Sequence, residues 1–311
     1  MASCRAKWLG RQAETGAGEG RWNRMKWLFP LAILAGGAAR GAEPVSIPGP
    51  GGVVLRALLV RPEDGAAGIP VVALHGCGGL GGPGAHLALP AREADWAARL
   101  NALGHAVIFP DSFGSRGVTQ VCSGGEHGIL PETTRRADAH AAAAWAAAQP
   151  WAVPGGAFLM GWSHGGSTAL AAIGAPVPAG LLRGAVALYP GCARPGQEPP
   201  PWRPAAPVLM LLGGADDWTP AASCRLAVRR ARTAAAGPVE LVEYPGAPHG
   251  FDQPGMPQRV LSGLTLTPRG DGVARMGTDS AAREEALRRV PAFLTAHTVP
   301  RAPHGGPARK E

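Results

Sequence analysis

A serine, two adjacent aspartates and a histidine, in that order along the chain, are the residues whose types and settings could do chemistry. Ser163 sits in Gly161-Trp162-Ser163-His164-Gly165-Gly166, Asp216 and Asp217 follow Gly213-Gly214-Ala215, and His249 lies in Pro248-His249-Gly250-Phe251. A serine hydroxyl is a weak nucleophile until a neighbouring base takes its proton. A histidine can be that base, and then the acid that returns the proton to a leaving group. A carboxylate can hold the imidazole in one tautomer and stabilise the imidazolium. Such a set suits attack on a carbonyl carbon through a covalent acyl intermediate, and that chemistry needs no cofactor. Ser163 is the expected nucleophile and His249 the expected base; both aspartates stand where the acid could be.

These residues must be positioned by something, and the sequence around each describes it. An apolar run over 157–161 precedes Ser163, and a small-residue helical pattern over 167–173 follows it. Strand, sharp turn and helix in that order form a nucleophile elbow, which lifts one hydroxyl above a sheet edge. Gly161 and Gly165 suit the place where strand and helix cross closely, and Ser163 is expected in a strained backbone conformation. The helix N-terminus favours negative charge developing beside it. Further apolar runs over 53–60, 69–74, 106–109, 184–189, 208–212 and 239–244 read as strands. Helical patterns over 91–103, 131–149, 220–235 and 279–296 alternate with them, and Gly104 is a suitable C-cap. The alternation predicts an α/β fold, a mostly parallel sheet with helices on both faces. In such sheets functional groups gather at the C-terminal ends of strands. Four strand ends carry unusual residues: His75-Gly76-Cys77, Ser163, Asp216-Asp217 and His249. No internal repeat and no change of composition marks a second domain.

The chain has 311 residues and a formal charge of +8, but its charge is unevenly placed. Residues 1–41 hold seven basic and two acidic residues, leaving 23 basic and 20 acidic beyond them. No basic stripe with interleaved aromatics points to nucleic acid. From Met25, the expected true start, Lys26 supplies a positive beginning, 27–35 an apolar core and Ala39-Arg40-Gly41 a small-x-small cleavage site. That order describes a secretory signal peptide; a short membrane anchor is the alternative, although the run is too brief for a comfortable span. Residues 1–41 are therefore read as a leader, 42–298 as the catalytic domain, and the Pro/Gly/basic segment 299–311 as a disordered tail. An exported protein, periplasmic or secreted, would be oxidised. Cys4 lies in the leader, and Cys77, Cys122, Cys192 and Cys224 remain, an even number with three possible pairings or free thiols as the alternative. Their spacing suggests no metal site.

Taken together, His75-Gly76-Cys77-Gly78-Gly79, the elbow, Asp216-Asp217-Trp218-Thr219-Pro220 and Tyr244-Pro245-Gly246-Ala247-Pro248-His249-Gly250-Phe251 resemble the dienelactone hydrolase family of α/β-hydrolases, whose chain order is Ser…Asp…His. The likeness spans roughly residues 53–294. It implies an α/β-hydrolase fold and a carboxylic ester or lactone as small-molecule substrate. The founding members carry a cysteine nucleophile, so serine here points to broader carboxylester hydrolysis. By the family pattern the acid lies four residues before the proline, which selects Asp216 and leaves Asp217 to cap the following turn or helix. The oxyanion hole falls to the backbone amides of His164 and Cys77, with His75 shaping that loop. The strand order of the fold favours the disulfides Cys77–Cys122 and Cys192–Cys224. Because founding members bind a carboxylate through arginines, Arg116 is a candidate substrate ligand; a structural loop arginine bonded to carbonyls or to Asp111 is the alternative. Trp162, with Trp218, Tyr189 and Phe251, could line an acyl pocket or belong to the core. The remaining histidines (His86, His105, His127, His140, His297, His304) are read as ordinary surface or loop residues. Two rivals stay open: a peptidase or amidase of the prolyl-oligopeptidase type, and a catalytically silent binding protein.

Overall fold

The computed structural model describes residues 41–298 apart from 63, 82–86, 126, 175, 194–201 and 234–236. The expected leader up to residue 40 and the tail from 299 lie outside the described residues. Eight strands form one sheet: β1 (Glu43–Pro48), β2 (Val54–Val60), β3 (Ile69–Leu74), β4 (His105–Pro110), β5 (Ala157–Trp162), β6 (Leu182–Leu188), β7 (Val208–Gly213) and β8 (Val239–Tyr244). Their spatial order is β1-β2-β4-β3-β5-β6-β7-β8. Strands β4, β3, β5, β6, β7 and β8 run parallel, and β2 and β1 close one edge by antiparallel pairing. A small antiparallel pair, β9 (Arg259–Leu261) and β10 (Ala274–Met276), stands apart from it.

Strict alternation of side chains sorts the apolar runs onto two faces. On β3, Val72 and Leu74 join one core cluster while Val71 and Ala73 join the other. The same split separates Leu159 from Phe158 and Met160 on β5. Strands covered on both sides have no polar face, which is why they read as continuous hydrophobic runs. The first layer is completed by α2 (Arg136–Ala147), α3 (His164–Gly174) and α4 (Ala221–Thr233). The second is completed by α1 (Ala91–Ala102) and α5 (Ser280–Ala296), through Trp96, Leu100, Ala286, Val290 and Leu294. Helix α2 presents Ala139, Ala142, Ala143 and Ala146, so it lies close to the sheet. Each fully buried Leu, Ile, Val or Phe contributes about 1.5–3 kcal/mol of burial.

One expected element differs, and the strands β1, β9 and β10 are additions to the expected set. The helix read over 131–149 begins with a π-helical turn, Pro131–Arg135, before α2. The strand β1 falls outside the expected set; its Pro44 and Pro48 forbid a central position and suit an edge. Chain order and spatial order part company at β3: β4 lies on one side of it and β5 on the other. That reversal opens a crevice at the C-terminal ends of β3 and β5, the place where open α/β sheets bind ligands.

Candidate active site

Ser163 occupies the turn between β5 and α3 with φ +54°, a left-handed conformation for a residue with a side chain. Such a residue costs about 1–3 kcal/mol and persists only where its surroundings hold it. Here its amide donates to Leu188 O at 2.9 Å, and its carbonyl accepts from Ser167 N at 2.9 Å. Two glycines let the elbow close. A Cβ on Gly165 would strike the carbonyls of Leu74 and His75, and one on Gly161 would strike Gly165 O. Helix α3 therefore starts directly against the end of β3.

The loop after β8 brings His249 over this turn. Ser163 Oγ donates to His249 Nε2 at 2.9 Å, and His249 Nδ1 donates to Asp216 Oδ2 at 2.8 Å. The three residues are 9%, 3% and 5% exposed, so the hydrogen bonds are shielded from competing water. Asp216 accepts further bonds from Trp218 N at 2.9 Å, Thr219 N at 2.8 Å and Thr219 Oγ1 at 2.9 Å. Burial by itself would raise its carboxyl; the adjacent His249 and the hydrogen bonds from His249 and Thr219 outweigh that and hold it below the usual value. Asp217 points elsewhere. It accepts from Arg275 N at 2.8 Å, tying the strand-end loop to β10 rather than capping the next turn, and Asp216 itself receives the turn amides.

A cavity of about 750 Å³ opens beside Ser163, walled by His164, Leu130, Glu132, Trp218 and Leu266 among others. Cys77 is in the wall as well, at the end of β3. His164 is the first residue of α3, where backbone N–H groups have no partner within the helix. Cys77 is bonded to Cys122, and Cys192 to Cys224; Cys77, Cys122 and Cys192 all line the cavity.

Several residues lie away from their expected places. Arg116 is not in the cavity wall; its guanidinium grips Asp138 with two bonds of 2.8 and 2.7 Å and donates to Ser112 O at 2.8 Å. With the fork closed on a buried carboxylate, it is a structural loop arginine. Trp162 is fully buried on the opposite face of the sheet, because it precedes the elbow serine by one strand position. Its indole donates to Asp252 Oδ2 at 2.9 Å. Tyr189 and Phe251 also join that core, whereas Trp218 does line the cavity. His105 is buried at the start of β4, and burial, first of all, lowers its pKa. His75 is wholly buried and held well below the ordinary imidazole value by burial and then by Arg135. His86 and His304 lie outside the described residues.

The structure also makes buried polar contacts that local pattern does not foretell. Asp252 is fully buried and accepts from Trp96 Nε1 at 2.8 Å, Trp162 Nε1 at 2.9 Å and Tyr189 Oη at 2.5 Å. One carboxylate thus joins α1, β5, the end of β6 and the loop that carries His249. Tyr189, at φ +37°, sets its ring 4.7 Å from the imidazole of His249, and burial foremost raises its phenol well above the usual value. Arg92 donates to the same phenol at 3.0 Å, lies over Trp162 and pairs with the adjacent Glu93. Their only sequence signal is side-chain type, since the partners are as many as 156 residues apart.

Sheet order, elbow and loop placement define the chain as an α/β-hydrolase. Within that class it belongs to the dienelactone hydrolase family, whose sequence profile matches residues 55–298. Solved structures share the fold. A candidate dienelactone hydrolase from Klebsiella pneumoniae is 22% identical, with a TM-score of 0.58 over 82% of this chain and 98% of its own. A thermophilic esterase from Thermogutta terrifontis, solved with propionate, is 20% identical, with a TM-score of 0.56 over 82% of this chain and 94% of its own. The dipeptidyl peptidase 4 of Porphyromonas gingivalis is 17% identical, with a TM-score of 0.58 over 84% of this chain but 36% of its own. No curated protein matches the chain in sequence.

Proposed function

We propose that this hydrolase is an exported serine enzyme that cleaves a carboxylic ester or lactone through an acyl-enzyme. The reading rests on one observation, the hydrogen-bonded line from Ser163 Oγ to His249 Nε2 and from His249 Nδ1 to Asp216 Oδ2. His249 takes the hydroxyl proton as Ser163 Oγ bonds to the carbonyl carbon, and Asp216 stabilises the imidazolium that forms. Negative charge passes to the carbonyl oxygen, where the amides of His164 and Cys77 are the donors we assign. The tetrahedral species collapses, the C–O bond to the alcohol breaks, and His249 protonates that alcohol. Water, deprotonated by the same imidazole, then attacks the acyl carbon and frees Ser163.

Export is supported by the signal-like order of residues 25–41 and by two disulfides. No helix among the described residues is long and apolar enough to cross a membrane. In this reading residues 42–298 are the catalytic domain and a small molecule the partner. The test is covalent labelling with a fluorophosphonate, followed by turnover of p-nitrophenyl esters and the matching anilides. Stoichiometric label lost in Ser163→Ala, with esters cleaved in preference to anilides, is expected. An unlabelled wild-type protein would overturn the enzyme reading, and preferential anilide cleavage would make it an amidase.

A further inference from the structure

The oxyanion donors assigned above come from two separate pieces of chain, the loop after β3 and the start of α3. Something must fix one against the other, since an amide aimed wrongly stabilises little. Arg135 lies between them. It is the last residue of the π-helical turn Pro131–Arg135 and is fully buried. One arm of its guanidinium donates to His75 O at 2.9 Å, two residues before Cys77. The other donates to His164 Nδ1 at 2.7 Å, on the residue that follows the nucleophile. The plane sits 4.9 Å from the ring centre of Phe113. Phe113 in turn contacts His75 and His164 edge-on, at 4.7 and 5.7 Å between ring centres, and Cys77 packs against its cluster. A π-turn within a helix is uncommon, and such turns occur frequently at functional sites.

We infer that Arg135 is the positioning residue of the oxyanion hole, clamping the Cys77 loop to the first turn of α3 and placing a positive charge behind both amides. The inference rests on the serine-hydrolase reading. A forked, planar cation can span two acceptors at once, which the point charge of a lysine does less well. Because His164 Nδ1 accepts from the guanidinium, the ring proton is on Nε2, and the ring is a fixed prop rather than a second base. Arg135 touches neither substrate nor reacting atoms in this scheme; it works through two backbone segments.

The test uses Arg135→Met and Arg135→Lys in the full chain, with active sites counted by fluorophosphonate so that unfolded protein is excluded. Turnover of p-nitrophenyl butyrate and inhibition by phenylboronic acid, whose serine adduct is tetrahedral, are then measured per active site. Arg135→Met is expected to lower kcat about 10- to 100-fold, less than loss of a direct donor, with KM little changed and boronate affinity falling in step. Arg135→Lys should recover part of both. Wild-type kcat in the methionine variant, or a fall in kcat with unchanged boronate affinity, would overturn the inference. If the methionine variant does not fold, the lysine variant decides by the same two readings. If neither folds, His164→Leu, which removes the ring acceptor and keeps the amide, decides instead. A wild-type chain that takes no label overturns the hydrolase reading, a result distinct from a labelled variant turning over at full rate.

Discussion

Two neighbouring aspartates meet different partners because their side chains leave the loop in different directions. Asp216 is buried among four donors, including the imidazole. Asp217 is 19% exposed at its side chain and meets Arg275 and Arg269 near the surface. Asp216→Asn should therefore leave the fold and lower kcat by roughly 10⁴, because an amide favours the wrong imidazole tautomer. Asp217→Asn should change kcat little and stability by no more than about 1 kcal/mol, as partly exposed pairs do. Parallel kinetics and thermal melts on the two variants check this. The serine, the histidine and the aspartate pair were legible in sequence because each follows a recognisable strand end. Thr219 and Arg135 were not. Thr219 meets His249 from 30 residues away, and Arg135 meets His75 from 60, so no window of sequence holds both partners. For Arg116 the sequence left two readings open, substrate ligand or structural loop arginine, because its loop sits at the active edge while the carboxylate that takes it, Asp138, is on α2.

The elbow is an agreement between β3, β5 and α3 more than a property of its pentapeptide. Gly165 faces the carbonyls of Leu74 and His75 with no room for a methyl group, so its freedom from a side chain is a packing requirement. Gly165→Ala should push α3 off the end of β3, costing at least about 1–3 kcal/mol as overpacked sites do. The same shift would carry His164 and Ser163 out of register with His249. A lower melting temperature together with loss of fluorophosphonate label is the expected pair of results; label retained at the wild-type rate would show that the helix can slide without harm. Elements buried on both faces were readable, since β3, β5 and β7 are short apolar runs and β6 becomes one after Arg183. Edge pieces were harder. The strand β1 carries two prolines, and β9 and β10 are three residues each, so periodicity had little to act on. The π-turn over Pro131–Arg135 likewise leaves no mark on a pattern that reads as continuous helix.

At the scale of the molecule, one reversal in strand order places the crevice, and two cross-links bound it. Cys77–Cys122 closes a stretch of 45 residues and Cys192–Cys224 one of 32. The first fixes the proposed oxyanion loop to the long connection after β4; the second ties the segment after β6 to α4, beside Thr219 and Pro220. Replacing Cys77 and Cys122 together by serine should lower stability by about 2–4 kcal/mol and lower kcat by more than the matching change at Cys192 and Cys224. Melting curves and turnover measured on both double variants compare the two directly. That the pairing was legible at all depended on sheet order, since spacing alone allowed three arrangements.

Sulfur–sulfur bonds in the wall of the cavity beside Ser163, rather than far from it, tie the shape of that cavity to the redox state of its surroundings. A chain folded under reducing conditions could assemble its hydrophobic layers and still present a binding surface with two loose seams, finished only when an oxidant stitches them.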